Sequence, residues 1–243
     1  MILLRVSYHD DTCLVIDDFL DRDAFGRLST SIQFVDYEPI HSSMKWNKPY
    51  GPPGLPIIQT AGVLRGQKES TPDRLGLIGD FVDRLRNSGS PISDGPGANV
   101  VGSRILTGKL IAMGAGAGLF WHADTDQVSG AYIFYVHPRW DSSWGGELMV
   151  MDGAAELGVG ELAKSTSGGA ARPDYEAVGA VIGPDFRTSL AEERRMQIGA
   201  GRFYTARPNR LVLINGQVEH RVNPVLPAAG DQFRCSIVGF GIK

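Results

Sequence analysis

Apolar and polar positions divide the chain into a mixed first part and a strand-rich remainder. Residues 12–16 (TCLVI) form an apolar run of strand length. DDFLDRDAFGRLSTSIQF follows with helical character and an aspartate near its start as N-cap. KPYGPPGLPI, residues 48–57, is too rich in Pro and Gly for regular structure and reads as a loop. Thr71 fits an N-cap and Pro72 the first helical position. Leu75, Ile78, Phe81, Val82 and Leu85 then recur at helical spacing, which predicts one apolar face packed on a sheet. Residues 87–99 read as a loop. Strands are predicted at 105–113, 119–124, 131–137, 147–151, 202–206, 211–215, 218–222 and 233–242, with Asn215-Gly216 as a tight turn. Strands following helices in this way predict an α+β fold, a barrel or two-sheet jelly roll with N-terminal helices packed on one face. The chain is expected to be a single domain over 1–243. A Gly-, Ala- and Ser-rich insertion at about 154–200 is either a lid or a surface excursion.

Composition narrows the function classes. Hydrophobic residues make up 42% and charged residues 21% of the 243, ordinary globular usage, and 31 glycines with 14 prolines suit short strands joined by turns. A net charge of −3 gives no basic footprint for nucleic acid. No apolar run approaches the roughly 18 residues that span a bilayer. Cys13 and Cys235 lie far apart in apolar runs, which predicts buried, reduced thiols and a cytoplasmic protein.

The candidate chemistry begins at GLFWHADTDQ. His122 and Asp124 are two residues apart at the end of a predicted strand, so both side chains project to one face. The spacing alone is weak, since His9 and Asp11 share it in a setting that supports no site, His9 reading as a surface residue before the first strand. His220, between inward-facing Val218 and Val222, is a core histidine or a third ligand. Two imidazoles and a carboxylate with positions left open suit a non-haem Fe(II) oxygenase, and zinc can take the same donors in a hydrolase. On the last strand Arg234 and Ser236 share a face among apolar residues. A guanidinium there needs a compensating carboxylate, from a dicarboxylate ligand or a distant acid, unless it reaches solvent.

Taken in order, CLVIDDFLDRDAFGRL, GAGAGLFWHAD, YIFYVHPRWDSSWGGELMVMDG, RPNRLVLINGQVEHRVNPV and DQFRCSIVGF resemble the Fe(II)- and 2-oxoglutarate-dependent dioxygenases, in the prolyl-4-hydroxylase-like branch. The resemblance implies a double-stranded β-helix, a cupin-like jelly-roll barrel. It implies His122, Asp124 and His220 as iron ligands, and Arg234 with Ser236 as anchor of the distal carboxylate of 2-oxoglutarate. Tyr135 corresponds to a further contact to that carboxylate, or is a core tyrosine. Ala112 and Met113 stand where relatives often carry another tyrosine, and the interval from His220 to Arg234 is longer than usual. Fe(II), 2-oxoglutarate and O2 are the implied cofactors, with ascorbate as reductant. The implied reaction hydroxylates an unactivated C–H bond and releases succinate and CO2. Asp124 favours hydroxylation over halogenation, because related halogenases carry a small residue there. The expected substrate is a small, amino-acid-like metabolite, with no nucleic-acid or membrane partner. It would be met by loops at 46–55, by Arg104 or Arg207 unless these are surface charges, and by the insertion. The alternatives are a peptidyl or protein hydroxylase of the same family, a zinc hydrolase, and a non-catalytic barrel that binds a small acid.

Overall fold

The computed structural model describes residues 4–39, 57–66, 76–151 and 201–243. The opening strands β1 (Arg5–His9) and β2 (Cys13–Asp17) form an antiparallel hairpin, and α1 (Arg22–Ser31) follows. The Asp21 side chain caps α1, accepting from the Ala24 backbone N–H at 2.8 Å. Three short strands, β3 (Glu38–Pro39), β4 (Ile57–Gln59) and β5 (Val63–Gly66), lead to α2 (Leu77–Arg86) and α3 (Pro96–Val101). Strands β6 (Ile105–Met113), β7 (Leu119–His122), β8 (Val128–Tyr135), β9 (Leu148–Val150), β10 (Arg202–Tyr204), β11 (Leu211–Asn215), β12 (His220–Val222) and β13 (Arg234–Ile242) complete the described chain.

A nine-stranded sheet has the order β1-β2-β11-β8-β13-β6-β4-β3, with β5 also on β6; a four-stranded sheet has the order β10-β9-β12-β7. From β6 onward the chain passes repeatedly from one sheet to the other, and all the pairings are antiparallel. This is the expected double-stranded β-helix, in the form of two facing sheets not hydrogen-bonded into a closed cylinder among the described residues.

Side-chain alternation separates two apolar layers. Leu106, Leu110, Tyr132, Phe134, Leu211, Leu213 and Ile237 face the helices, where Ile78, Phe81, Val82 and Leu85 of α2 meet them. Ile111, Met113, Ile133, Tyr135, Val212 and Ile214 face the smaller sheet. Both faces of the large sheet are therefore covered, which explains why β11 reads LVLI without polar alternation. Phe81 stacks on Phe134 with ring centroids 4.6 Å apart, and Phe19 meets both edge-on.

Three expectations need correction. Residues 87–99 were expected to be loop throughout, yet α3 begins at Pro96, where the ring's fixed φ suits a first helical turn. The strand expected at 119–124 ends at His122, so Asp124 lies just beyond it. His9 belongs to β1 and is not a residue preceding the first strand, although it is exposed as expected. Cys13 is buried, Cys235 is half-buried, and both are free thiols. The loop at 46–55, the Thr71-Pro72 signal and the insertion at about 154–200 lie outside the described residues. Among the described residues no helix is long and apolar enough to cross a membrane.

Candidate metal centre

The smaller sheet brings the histidines together. His122 on β7 pairs in register with His220 on β12, and their ring centroids are 4.4 Å apart. The glycine-rich run allows this approach: a side chain at Gly118 would place its Cβ 2.7 Å from the Val222 carbonyl oxygen and 2.9 Å from the Pro224 nitrogen. Gly116 donates its N–H to Val225 O at 2.7 Å, and Val225 donates to Ala117 O at 2.9 Å, which extends the pairing beyond the strand. Asp124 joins the histidines from the turn after β7, where Gln217 donates to its backbone carbonyl at 2.9 Å. One ligand atom from each of His122, Asp124 and His220 lies within 4.8 Å of the other two.

Their protonation states suit a cation. His220 Nδ1 stands 2.9 Å from Val218 O. A carbonyl only accepts, so Nδ1 carries the proton and Nε2 keeps its lone pair. Burial holds the His220 pKa below the ordinary imidazole value, favouring the neutral form that binds metal. Burial raises the Asp124 pKa, an effect opposed by the neighbouring His122. A carboxylate burdened in this way gains most from a cation placed between it and the imidazoles.

A cavity of about 400 Å³ between the sheets is lined by His122, Asp124, His220, Arg234 and Ser236. Arg234 is 1% exposed. Its Nε donates to Gly146 O at 2.8 Å, and its Nη groups approach Tyr135 Oη at 3.3 Å, Ser236 Oγ at 3.4 Å and Met113 Sδ at 4.0 Å. All four partners are neutral, and no carboxylate among the described residues stands within 4.0 Å of the guanidinium. Asp17, 2% exposed, shows the contrast: Arg210 reaches it at 2.6 Å and Arg207 at 3.2 Å. A buried ion without a counter-ion costs several kcal/mol, a cost that an anion entering the cavity would offset. Gly146 makes room for it: its φ is +73°, and an added Cβ would lie 2.9 Å from Arg234 Cδ. Trp140 fixes that loop by donating Nε1–H to Gly145 O at 3.0 Å.

The sequence-derived residues do not all fall where expected. His122, Asp124, His220, Arg234 and Ser236 share the cavity, whereas Tyr135 stands beside the guanidinium, its ring 4.9 Å from Cζ, and is not on the cavity wall. Met113 faces Arg234 where a tyrosine is common in relatives. Arg104 is exposed and Arg207 pairs with Asp17 and Asp18, so neither lines the cavity. Lys109, which sequence reasoning passed over, does line it. Its signal was a lysine at an inward position of an otherwise apolar alternating strand, ILTGKLIAM.

The fold is shared with several solved proteins. A prolyl-4-hydroxylase of Pseudomonas putida superposes with a TM-score of 0.54 at 12% identity, covering 96% of this chain and 93% of that one. HygX of Streptomyces hygroscopicus, solved with nickel and 2-oxoglutarate, gives 0.50 at 14% identity over 96% and 84%. A Trichoplax adhaerens prolyl hydroxylase in complex with a hypoxia-inducible-factor peptide also gives 0.50 at 14% identity over 96% and 84%. No protein of curated function matches the chain by sequence. The sequence model of the 2OG-Fe(II) oxygenase superfamily matches residues 108–241, more than half of the chain, from within β6 almost to the end of β13. The protein therefore belongs to the 2OG-Fe(II) oxygenase superfamily and is an oxidoreductase that uses Fe(II), 2-oxoglutarate and O2 on a small-molecule or peptide substrate.

Proposed function

We propose that His122, Asp124 and His220 hold the ferrous ion, that Arg234 and Ser236 anchor 2-oxoglutarate, and that the enzyme hydroxylates a small metabolite. One observation carries this reading: three convergent donors and a buried guanidinium with neutral partners share a single cavity. When bound, iron and 2-oxoglutarate supply the redox chemistry, in which O2 converts 2-oxoglutarate to succinate and CO2 and a substrate C–H bond to C–OH.

The chain's own residues bind, orient and exclude water. The Val218 carbonyl fixes the His220 ring, so Nε2 is presented without a tautomer change. Arg234, braced by the Gly146 carbonyl and Tyr135, offers its fork to a carboxylate, and the Ser236 hydroxyl can add a bond. Ile111, Leu119, Ile133, Leu148, Val222 and Val238 give the cavity an apolar wall that strengthens these charge contacts. Asp124 is the only carboxylate among the described residues lining the cavity, which leaves a zinc hydrolase without a separate general base. Structural neighbours include a peptide-bound hydroxylase and an epimerase from nogalamycin biosynthesis, so the fold spans several substrate types. The cavity of about 400 Å³, within the ~300–1,000 Å³ usual for small ligands, supports a small molecule.

Oxygen uptake with succinate formation, measured with Fe(II) and 2-oxoglutarate, tests the assignment. Wild type should turn over and Asp124→Ala should not. Equal turnover by Asp124→Ala would reject the ligand set.

A further inference from the structure

β8 pairs with β13 as far as Tyr135 and Ser236. Continued register would set Val136 opposite Cys235, each N–H donating to the other's carbonyl. Val136 does donate to Cys235 O, at 3.0 Å, but the Cys235 N–H donates to His137 Nδ1, at 3.1 Å. A side chain thus closes the ladder at the residue between Arg234 and Ser236, the two groups offered to the distal carboxylate of 2-oxoglutarate.

His137 is 2% exposed, and its other nitrogen, Nε2, lies 2.6 Å from Ala206 O in the connection between β10 and β11. That carbonyl only accepts, so Nε2 carries the proton and Nδ1 keeps its lone pair. Burial, with the nearby Arg234 charge acting in the same direction, holds the pKa of the ring down to about 4, so the ring is neutral near pH 7. A single tautomer therefore ties the Ala206 backbone to Cys235. The ring also packs on Trp140, with centroids 4.9 Å apart. Trp140 donates to Gly145 O, and Gly146 O accepts from Arg234 Nε, so His137 reaches the guanidinium by a second route. His137 is not on the cavity wall and can act on a ligand only through these neighbours.

We propose that His137 is a positioning residue for the cosubstrate anchor: its Nδ1, by holding the Cys235 N–H, sets the aim of Arg234 and Ser236. This rests on the oxygenase reading and on Arg234 as the anchor. Two substitutions separate the two bonds of the ring. Asparagine places Oδ1 close to where Nδ1 stands, so it keeps the acceptor for Cys235 and loses the bond to Ala206. Glutamine places its amide nitrogen close to where Nε2 stands, so it keeps the bond to Ala206 and leaves the Cys235 N–H without an acceptor.

The test uses full-length wild type, His137→Asn and His137→Gln, each loaded with Ni(II) and titrated calorimetrically with 2-oxoglutarate and with 2-oxopentanoate. The second compound keeps the 2-keto acid that meets the metal and carries a methyl group in place of the distal carboxylate. Wild type should bind 2-oxoglutarate the more tightly. No binding of 2-oxoglutarate by wild type would overturn the oxygenase reading, and no preference for it would overturn Arg234 as the anchor. Given that preference, His137→Gln should lose about 10-fold in 2-oxoglutarate affinity, the size of the penalty for one buried unpaired donor, with 2-oxopentanoate affinity unchanged. His137→Asn should stay within about 3-fold of wild type for both compounds. An undiminished preference in His137→Gln, an equal loss of both compounds in His137→Gln such as a merely structural role would give, or a loss in His137→Asn as large as in His137→Gln would each overturn the inference.

Discussion

Arg234 is charged, 1% exposed and surrounded by neutral partners among the described residues. Replacing it with methionine removes both the desolvation cost and the proposed grip on a carboxylate. Arg234→Met is therefore expected to fold, to bind metal as wild type does, and to lose about 10–100-fold in 2-oxoglutarate affinity, as calorimetry would show. Undiminished 2-oxoglutarate affinity would move the anchor elsewhere. These residues were legible because their chemistry conflicts with their surroundings: imidazole, carboxylate and guanidinium at inward positions of apolar strands. Lys109 makes the same conflict but stands outside any spacing that points to a ligand set, so its place on the cavity wall is visible only in the fold. Tyr135 was legible only as a carboxylate contact implied by the resemblance or as a core tyrosine, because its place beside the guanidinium depends on the register of β8 with β13, where it pairs with Ser236.

Elements with strong periodicity emerged from the sequence with their limits nearly intact. β6 and β11 span the expected residues, because long apolar runs bounded by turns leave little choice of register. β1 has an exposed pattern, and β3, β4 and β5 are short pieces on the edge of the sheet, so their pairing is decided by tertiary contacts rather than by local pattern. α2 was legible through its apolar stripe, and its packing makes a prediction at this scale. Phe81 is 4% exposed and stacks on Phe134. Phe81→Ala should lower stability to urea by about 3–5 kcal/mol while the folded fraction binds 2-oxoglutarate normally. A loss below about 1 kcal/mol would show that the helix does not hold the sheet through this contact.

Across the whole molecule, alternation of the chain between two sheets places donors from β7, β12 and the turn after β7 opposite the guanidinium of β13. The same construction buries His137 where the sheets and loops meet. Its Nε2 lies 2.6 Å from Ala206 O and its Nδ1 accepts from Cys235 N at 3.1 Å, which fixes a neutral ring. Burial pushes its pKa down from 6.5 to about 4. The unfolded chain therefore takes up this proton first as pH falls, and stability present above pH 6.5 declines until about pH 4, by up to roughly 3 kcal/mol. Metal-free wild type should lose urea resistance across that window, and His137→Gln should lose less. Parallel profiles for the two proteins would remove His137 from the account.

The account stands on one cavity binding metal and keto-diacid together. Anaerobic titration of Fe(II)-loaded protein with 2-oxoglutarate, followed by visible charge-transfer absorption, measures this directly. Wild type should develop the band and saturate at one 2-oxoglutarate per chain. Fe(II)-loaded protein that binds 2-oxoglutarate without developing the band, or that does not bind it, would contradict the account.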